Sequence, residues 1–319
     1  MDIQKQIEDQ IDQIRTDQDS NFIDSLGTHL ERAQLYYEKG ISEDEQFFND
    51  VIYRVNQAYE GALKEAYKIL GGKSEKKAFR ETPNNIEDYF KSNNIFKDRV
   101  LQLFENYRKE WRNKSTHDYK LVFDEDEAFI ALTSVSSFVH LLLKQIQEKI
   151  AYNKEQEKLE SKKKVEEQLN EILADKSLDL SSKTLKLIEK FAEGNELLHH
   201  EMHLSEANLM GMIHGFFSKA GTELQITRSP LINSKEGKLR LDFLLEYQDE
   251  KVILEVKKYL REGSKKQGIE QVLHFLVNSG IRSGILYFTS TSVREPEMKT
   301  QKVIKNIEGI DYTVHIVRT

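Results

Sequence analysis

The sequence predicts two domains: an all-α helical bundle, joined through a helical spacer to an α/β domain with a mixed sheet. Three observations predict it. Apolar residues recur at helical spacing through roughly the first 145 positions, and only 3 Pro interrupt the whole chain. A Glu/Lys-rich run with little core pattern follows. From position 196 the apolar period switches between 3.6 and 2, with Gly residues punctuating the changes. At 319 residues the chain is long enough for two domains.

The elements follow in order. Residues 1–20 read as a polar leading helix, with Ile3, Ile7, Ile11 and Ile14 at helical spacing. A second helix is expected over 22–38. Ser42 and Glu45 have the spacing of a capping box and would open a helix over 43–70, with Phe47, Val51, Val55, Ala58, Ala62, Ala66 and Leu70 on its inner face and Gly71-Gly72 at its end. Asn84 or Asn85 would cap a helix through Phe90. Positions 96–112 carry Val100, Leu101, Leu103, Phe104, Tyr107 and Trp111 at helical spacing. After a loop, Asp124 would cap an apolar helix over 128–143. Residues 21–145 therefore read as one bundle and 146–195 as a charged, exposed helical linker, Glu and Lys alternating at i,i+4 as far as Lys176 and a further helix starting at Ser181-Ser182 and ending near Gly194. Within 196–319 the pattern predicts a helix to Ala220, a strand over 223–232, a hairpin, a helix over 265–278, a buried strand at GILYFTS (284–290) and a last strand over 312–317.

Composition bounds the rest. With 0 Cys there are no disulfides, thiolate zinc sites or cysteine nucleophiles. A net charge of -7 argues against a general nucleic-acid coating protein, but leaves room for local basic groups. The first residues carry no basic-then-apolar leader, and no window reads as the ~18 apolar residues of a membrane span. A cytoplasmic protein without a membrane partner is expected. The His199–His203 run has one residue too few between Glu201 and His203 for the His-Glu-x-x-His zinc motif. Gly71-Gly72-Lys73-Ser74 follows a helix rather than a strand, unlike a phosphate loop.

The most informative stretch is 239–259, LRLDFLLEYQDEKVILEVKKY. Leu239, Leu241, Phe243 and Leu245 alternate with Arg240, Asp242 and Leu244. Beyond a polar turn, Val252, Leu254 and Val256 face one way and Ile253, Glu255 and Lys257 the other. Asp242 on the adjacent strand comes near Glu255 and Lys257. A stable hairpin does not need that trio; a Mg²⁺-dependent phosphodiesterase does, because paired carboxylates hold a hard cation and a lysine handles charge at the phosphate. Arg240, Lys258, Arg261, Lys265 and Lys266 supply local cations for a phosphate backbone.

This order, helix, three strands, helix, strand, with Asp242 and Glu255-Val256-Lys257 on the second and third strands, resembles the restriction-endonuclease-like superfamily, PD-(D/E)XK, and looks most like its Mrr-like branch. The resemblance covers about 196–290. It implies Mg²⁺ or Mn²⁺ on Asp242 and Glu255, with Lys257 orienting the attacking water or stabilising charge. It also implies a Glu on the first helix, here Glu206 or else Glu201, and a Gln on the later helix, here Gln271.

A second motif is Trp111-Arg112-Asn113-Lys114-Ser115-Thr116-His117 at the end of a bundle helix. It resembles the Arg-x4-6-His motif of the HEPN superfamily, as does the earlier Glu60-Gly61-Ala62-Leu63-Lys64 text, over roughly 22–143. That resemblance implies metal-free RNA cleavage to a 2′,3′-cyclic phosphate, with His117 transferring protons, Arg112 on the phosphate and Asn113 positioning either. Five residues of continuous helix turn through about 140°, so Arg112 and His117 converge only if the helix ends between them or a second copy completes the site. HEPN nucleases are typically homodimers, and many relatives only dimerise. Together the two resemblances imply a nuclease of DNA, RNA or both in prokaryotic defence against phages and mobile elements. The alternative is a non-catalytic nucleic-acid-binding or assembly protein.

Overall fold

The computed structural model describes residues 3–15, 21–93, 95–96, 98–113, 122–161, 163–195, 204–221, 223–234, 237–258, 262–289 and 298–318. The chain divides into two compact units, Met1–Ile150 and Ala151–Thr319.

The first unit is helical. Its elements are α1 (Ile3–Arg15), α2 (Asn21–Ser42), α3 (Phe47–Ile69), α4 (Glu75–Arg80), α5 (Pro83–Ser92), α6 (Asp98–Tyr107) with a π turn over Arg108–Arg112, and the beginning of α7 (Glu125–Glu160). The leading helix is part of the core, because Ile7, Ile11 and Ile14 are all buried in it. Around Tyr59, Phe104 and Phe138 the core is aromatic, the Phe104 and Phe138 ring centroids lying 4.0 Å apart. The expected capping box at Ser42 does not form. Helix α2 runs through Ser42, whose hydroxyl donates to the Glu38 carbonyl at 2.9 Å, and α3 starts only at Phe47. Thr82 rather than an Asn caps α5, and Pro83 fills the first helical position, where its missing N–H costs nothing. Asp124 caps α7 as expected, accepting from Glu127 N at 2.8 Å while the Glu127 carboxylate accepts from Asp124 N.

Helix α7 is 36 residues long, well beyond the expected end at 143. It also contains an 18-residue window with mean hydropathy 1.5, which the composition-based reading of membrane spans did not anticipate. Length and composition alone would let that window cross a membrane. Ala128, Ala131, Val135, Phe138, Val139 and Leu142 are instead buried in the helical core.

The second unit comprises the end of α7, α8 (Lys163–Ala174), α9 (Leu180–Glu193), α10 (Glu206–Lys219), strands β1 (Gln225–Arg228), β2 (Leu231–Ser234), β3 (Gly237–Arg240), β4 (Phe243–Tyr247) and β5 (Glu250–Lys257), α11 (Glu262–Ser279), and strands β6 (Ser283–Phe288), β7 (Lys299–Ile307) and β8 (Ile310–Arg318). Six strands form a mixed sheet in the order β1-β4-β5-β6-β8-β7, and β2-β3 form a separate ribbon. Strands β5, β6 and β8 run parallel, while β1, β4 and β7 are antiparallel to their neighbours.

The stretch expected to be an exposed linker is packed. Leu159, Leu169, Leu173, Leu180, Leu187, Ile188 and Phe191 are buried with Phe243, Leu245, Val252 and Leu254 on one face of the sheet. The Glu and Lys residues occupy the outward face, which masks a narrow apolar stripe. Side chains tie these helices down through a backbone carbonyl: Leu173 O accepts from Lys183 Nζ at 2.7 Å and from Tyr247 Oη at 3.1 Å. The other face of the sheet is covered by α11, which packs Val272, Leu273 and Leu276 on Ile253, Leu286, Phe288 and Ile316. That close seating needs glycine. A Cβ on Gly284 of β6 would stand 2.6 Å from Val272 Cγ1, and one on Gly268 of α11 2.8 Å from Leu286 Cδ2.

Candidate active site of the mixed-sheet unit

The alternation on β5 holds. Val252, Leu254 and Val256 join the core beneath α8–α10, whereas Ile253 faces α11. Glu255 and Lys257 share the α11 face by the two-residue period. Asp242 is not inside a strand. The single strand expected across 239–245 is broken at Leu241-Asp242, between the β2-β3 ribbon and β4. Likewise the strand expected over 223–232 is broken at Ser229-Pro230, where Ser229 has a positive φ of 54°. Leu241 N donates to Pro230 O and Ser229 N to Asp242 O, so the two breaks face each other.

This break lets Asp242 and Glu255 clasp one another. Asp242 N donates to Glu255 Oε1 at 2.8 Å, and Val256 N donates to Asp242 Oδ2 at 3.0 Å. Glu255 thus uses one oxygen on the Asp242 amide, and Asp242 one oxygen on the amide of the residue after Glu255. Glu255 is only 2% exposed. Burial, and next the neighbouring Asp242 charge, push its carboxyl up to about 8. Gln271 on α11 reaches the remaining oxygen, with Nε2 3.4 Å from Glu255 Oε2, and Lys257 Nζ lies 3.9 Å from the same atom. The structure therefore brings Asp242, Glu255, Lys257 and Gln271 together.

Two sequence expectations fare differently. Glu206 sits at the exposed first turn of α10, behind the Ser205 cap, and forms no hydrogen bond or ion pair with those four residues. Arg240 belongs to the β2-β3 ribbon, paired with Leu231. The break after it cancels the period-2 argument that put it on the same side as Asp242. The arginine beside the clasp is Arg228 on β1, which sequence reasoning missed. Its NH1 donates to Asp242 O at 3.1 Å and to Ser229 Oγ at 2.6 Å, lies 4.0 Å from Asp242 Oδ1, and the guanidinium stacks over Phe243. Its signal in the sequence was a basic residue in a predicted strand, but the partner strand is not legible there. Lys265 donates to Gln301 on β7 at 2.6 Å, Lys266 is exposed on α11, and Lys258 follows β5. Arg261 and Glu201 lie outside the described residues.

No family model, curated protein or solved structure matches this chain.

The residues present fit a hard divalent cation. Among the described residues no group of three or more His, Asp or Glu side chains forms a metal cage. Asp242 and Glu255 offer a pair of carboxylates whose mutual repulsion a cation would relieve, in keeping with Mg²⁺, which keeps water and substrate oxygens as its other ligands. A concavity of about 780 Å³ in the same unit lies at the amino ends of β5 and β6, near Asp179, Glu250 and Arg282, away from this pair.

In the helical unit, Arg112 closes the π turn. Its Nε and NH2 reach Glu60 Oε1 at 2.8 and 2.7 Å, and NH1 donates to Asn113 Oδ1 at 3.2 Å. Trp111 stacks on Tyr107, whose hydroxyl donates to Asn56 at 2.7 Å. One turn earlier, Arg108 Nε donates to the buried Glu87 at 2.9 Å, and the Tyr59 hydroxyl donates to the same carboxylate. Burial holds both the Glu87 carboxyl and the Tyr59 hydroxyl above their ordinary range. His117 lies outside the described residues.

Proposed function

We propose that the chain is a nuclease whose second unit, a restriction-endonuclease-like domain, cleaves phosphodiester bonds, with DNA as the first substrate to test. The observation that carries this reading is the reciprocal clasp of Asp242 and Glu255. It presents two carboxylates beside a lysine and a glutamine, at some cost in carboxylate repulsion. Asp242 and Glu255 would hold Mg²⁺ or Mn²⁺, which when bound supplies Lewis-acid stabilisation of the phosphate and a more acidic water. Lys257 orients the nucleophile or balances charge on the phosphate, and Gln271 restrains Glu255. Arg228 holds the Asp242 backbone and lies within ion-pair distance of its carboxylate. This role in defence against phages and mobile elements rests on resemblance alone.

We further propose that the first unit is a HEPN-like module that pairs two copies of the chain. The uncharged run from 128 to 143 on α7, with Phe129, Ile130 and Leu141 exposed, supports a pairing surface there. The fixed pair Arg112-Asn113 at the end of the π turn supports a metal-independent RNA site completed by His117. The Glu60 ion pair must then be shared with, or exchanged for, the phosphate.

The test is to incubate labelled DNA and RNA with Mg²⁺ and, separately, with EDTA. Asp242→Ala is expected to abolish the Mg²⁺-dependent cleavage, and His117→Ala any EDTA-resistant RNA cleavage. Wild-type protein that binds these nucleic acids but cuts none under either condition would favour the binding and assembly reading instead.

A further inference from the structure

Strand register places a second set of cations on the face that carries Glu255. Lys257 pairs with Phe288, Phe288 with Arg318, and Arg318 with Lys299. These four residues form one line across β5, β6, β8 and β7. Laterally paired residues of a sheet point to the same side, and this side is the α11 side, since Phe288, Ile316 and Ile253 all pack there. The line one step inward, on that same face, is Glu255, Leu286, Ile316 and Gln301, and Lys265 of α11 donates to Gln301 at 2.6 Å. The first turn of α11 therefore adds Lys265 above the far end. Neither line contains an acidic residue apart from Glu255 itself.

From these registers we infer that a nucleic-acid backbone leaving the Asp242–Glu255 pair runs across the carboxyl ends of β5, β6 and β8 to the edge strand β7, held by Lys257, Arg318, Lys299 and Lys265. Three strand spacings make the line about 14 Å long. A line of that length reaches a few successive phosphates to one side of the scissile bond. The one aromatic in the line, Phe288, is fully buried and offers no face for base stacking, so the lysines and the arginine suit backbone contact without base readout. Neither Arg318 nor Lys299 lies near the Glu-x-Lys motif in sequence. This track rests on the nuclease reading only for its starting point, because a binding protein would use the same cations.

The test is equilibrium binding to labelled single-stranded DNA, duplex DNA and single-stranded RNA, in EDTA and at several salt concentrations. Arg318→Glu and Lys299→Glu are each expected to weaken binding severalfold, and the pair at least about tenfold, with Arg318→Ala and Lys299→Ala each flattening the log–log salt slope by about 1. Lys305→Glu is the control: it lies on the same strand and face as Lys299, but at the other end of β7. Thermal melts confirm that each variant folds, and the alanine variants stand in for a glutamate variant that does not. Binding unaffected by Arg318 and Lys299, or weakened equally by Lys305→Glu, overturns the track. So does wild-type protein that binds none of the three nucleic acids. Row-dependent binding in a wild type that cuts nothing with Mg²⁺ retains the track and removes the nuclease reading. Cleavage abolished by Asp242→Ala but indifferent to the row removes the track alone.

Discussion

At Glu255 stability and the proposed cation binding make opposite demands. This residue is buried at the end of β5 beside a second carboxylate, and its carboxyl is pushed up to about 8 from an ordinary 4.5. Below the ordinary value both the folded and unfolded chains hold the proton, so the group does not disfavour folding. Between 4.5 and about 8 the unfolded chain has released the proton and the folded chain has kept it. Stability in the absence of metal is therefore lost as pH rises through that window. Glu255→Gln keeps an oxygen for Asp242 N and cannot ionise, and Gln271 need only rotate its amide to meet it. Melting of the metal-free protein is expected to rise by about 5 °C or more at pH 8 for this variant, with little change at pH 4 to 5. An equal shift at both pH values would mean that the substitution acts through packing rather than charge. The converse holds for the cation: binding requires the ionised pair, so Mg²⁺ added near pH 7 should release protons, measurable as a buffer-dependent heat. Asp242→Ala should remove that release.

At the scale of elements, two joints repay attention. The first is the π turn after α6, anchored by Arg108 on a Glu87 that also accepts from Tyr59. Removing the carboxylate leaves a nearly buried guanidinium and a buried hydroxyl without that partner. Glu87→Ala is expected to cost about 3 kcal/mol, read by urea denaturation of the helical unit; a loss below about 1 kcal/mol would show that water replaces the carboxylate. The second joint is α11 on β6. Gly284→Ala would press a methyl on Val272 and should destabilise by about 1–2 kcal/mol, while lowering Mg²⁺-dependent cleavage as Gln271 moves. Val272→Ala opens that space, so the double variant should recover part of both losses, and simple additivity would refute the contact as the cause. The sequence makes some of these elements plain and hides others. The β5 alternation was legible because Val252, Leu254 and Val256 keep one face apolar while Glu255 and Lys257 put polar groups on the other. The break at Leu241-Asp242 was not, since both residues fit a continuous period of 2 and the break is defined by Ser229 and Pro230, which interrupt the facing chain between β1 and β2. Helices α8 and α9 were legible as helices, but their packing was hidden by their own charge, with Leu169, Leu173 and Leu187 spaced among Glu and Lys. Strand β7 was missed for a related reason: as an edge strand it carries exposed lysines where a central strand would carry valines.

For the whole molecule, the two units have separate cores of different construction, one helical and aromatic, one built on both faces of a sheet. A ligand that binds only one folded unit stabilises that unit by mass action and leaves the other's intrinsic stability alone. The candidate cation site lies wholly in the second unit, whereas the Glu87–Arg108 joint lies wholly in the first. Calorimetry of the intact chain is therefore expected to resolve two transitions, or one broad endotherm whose calorimetric enthalpy exceeds its van't Hoff enthalpy. Mg²⁺ in excess should raise only one of them, and Asp242→Ala should erase that rise. Glu87→Ala should lower only the other. The two perturbations together thus assign each transition without cutting the chain. A single transition moved by both would mean that α7, which contributes to both units, couples them into one cooperative block. In that case a substitution in the helical core would also weaken cation binding at Asp242 and Glu255 by raising the unfolded fraction, and the activities attributed to the two units would have to be measured against a common stability.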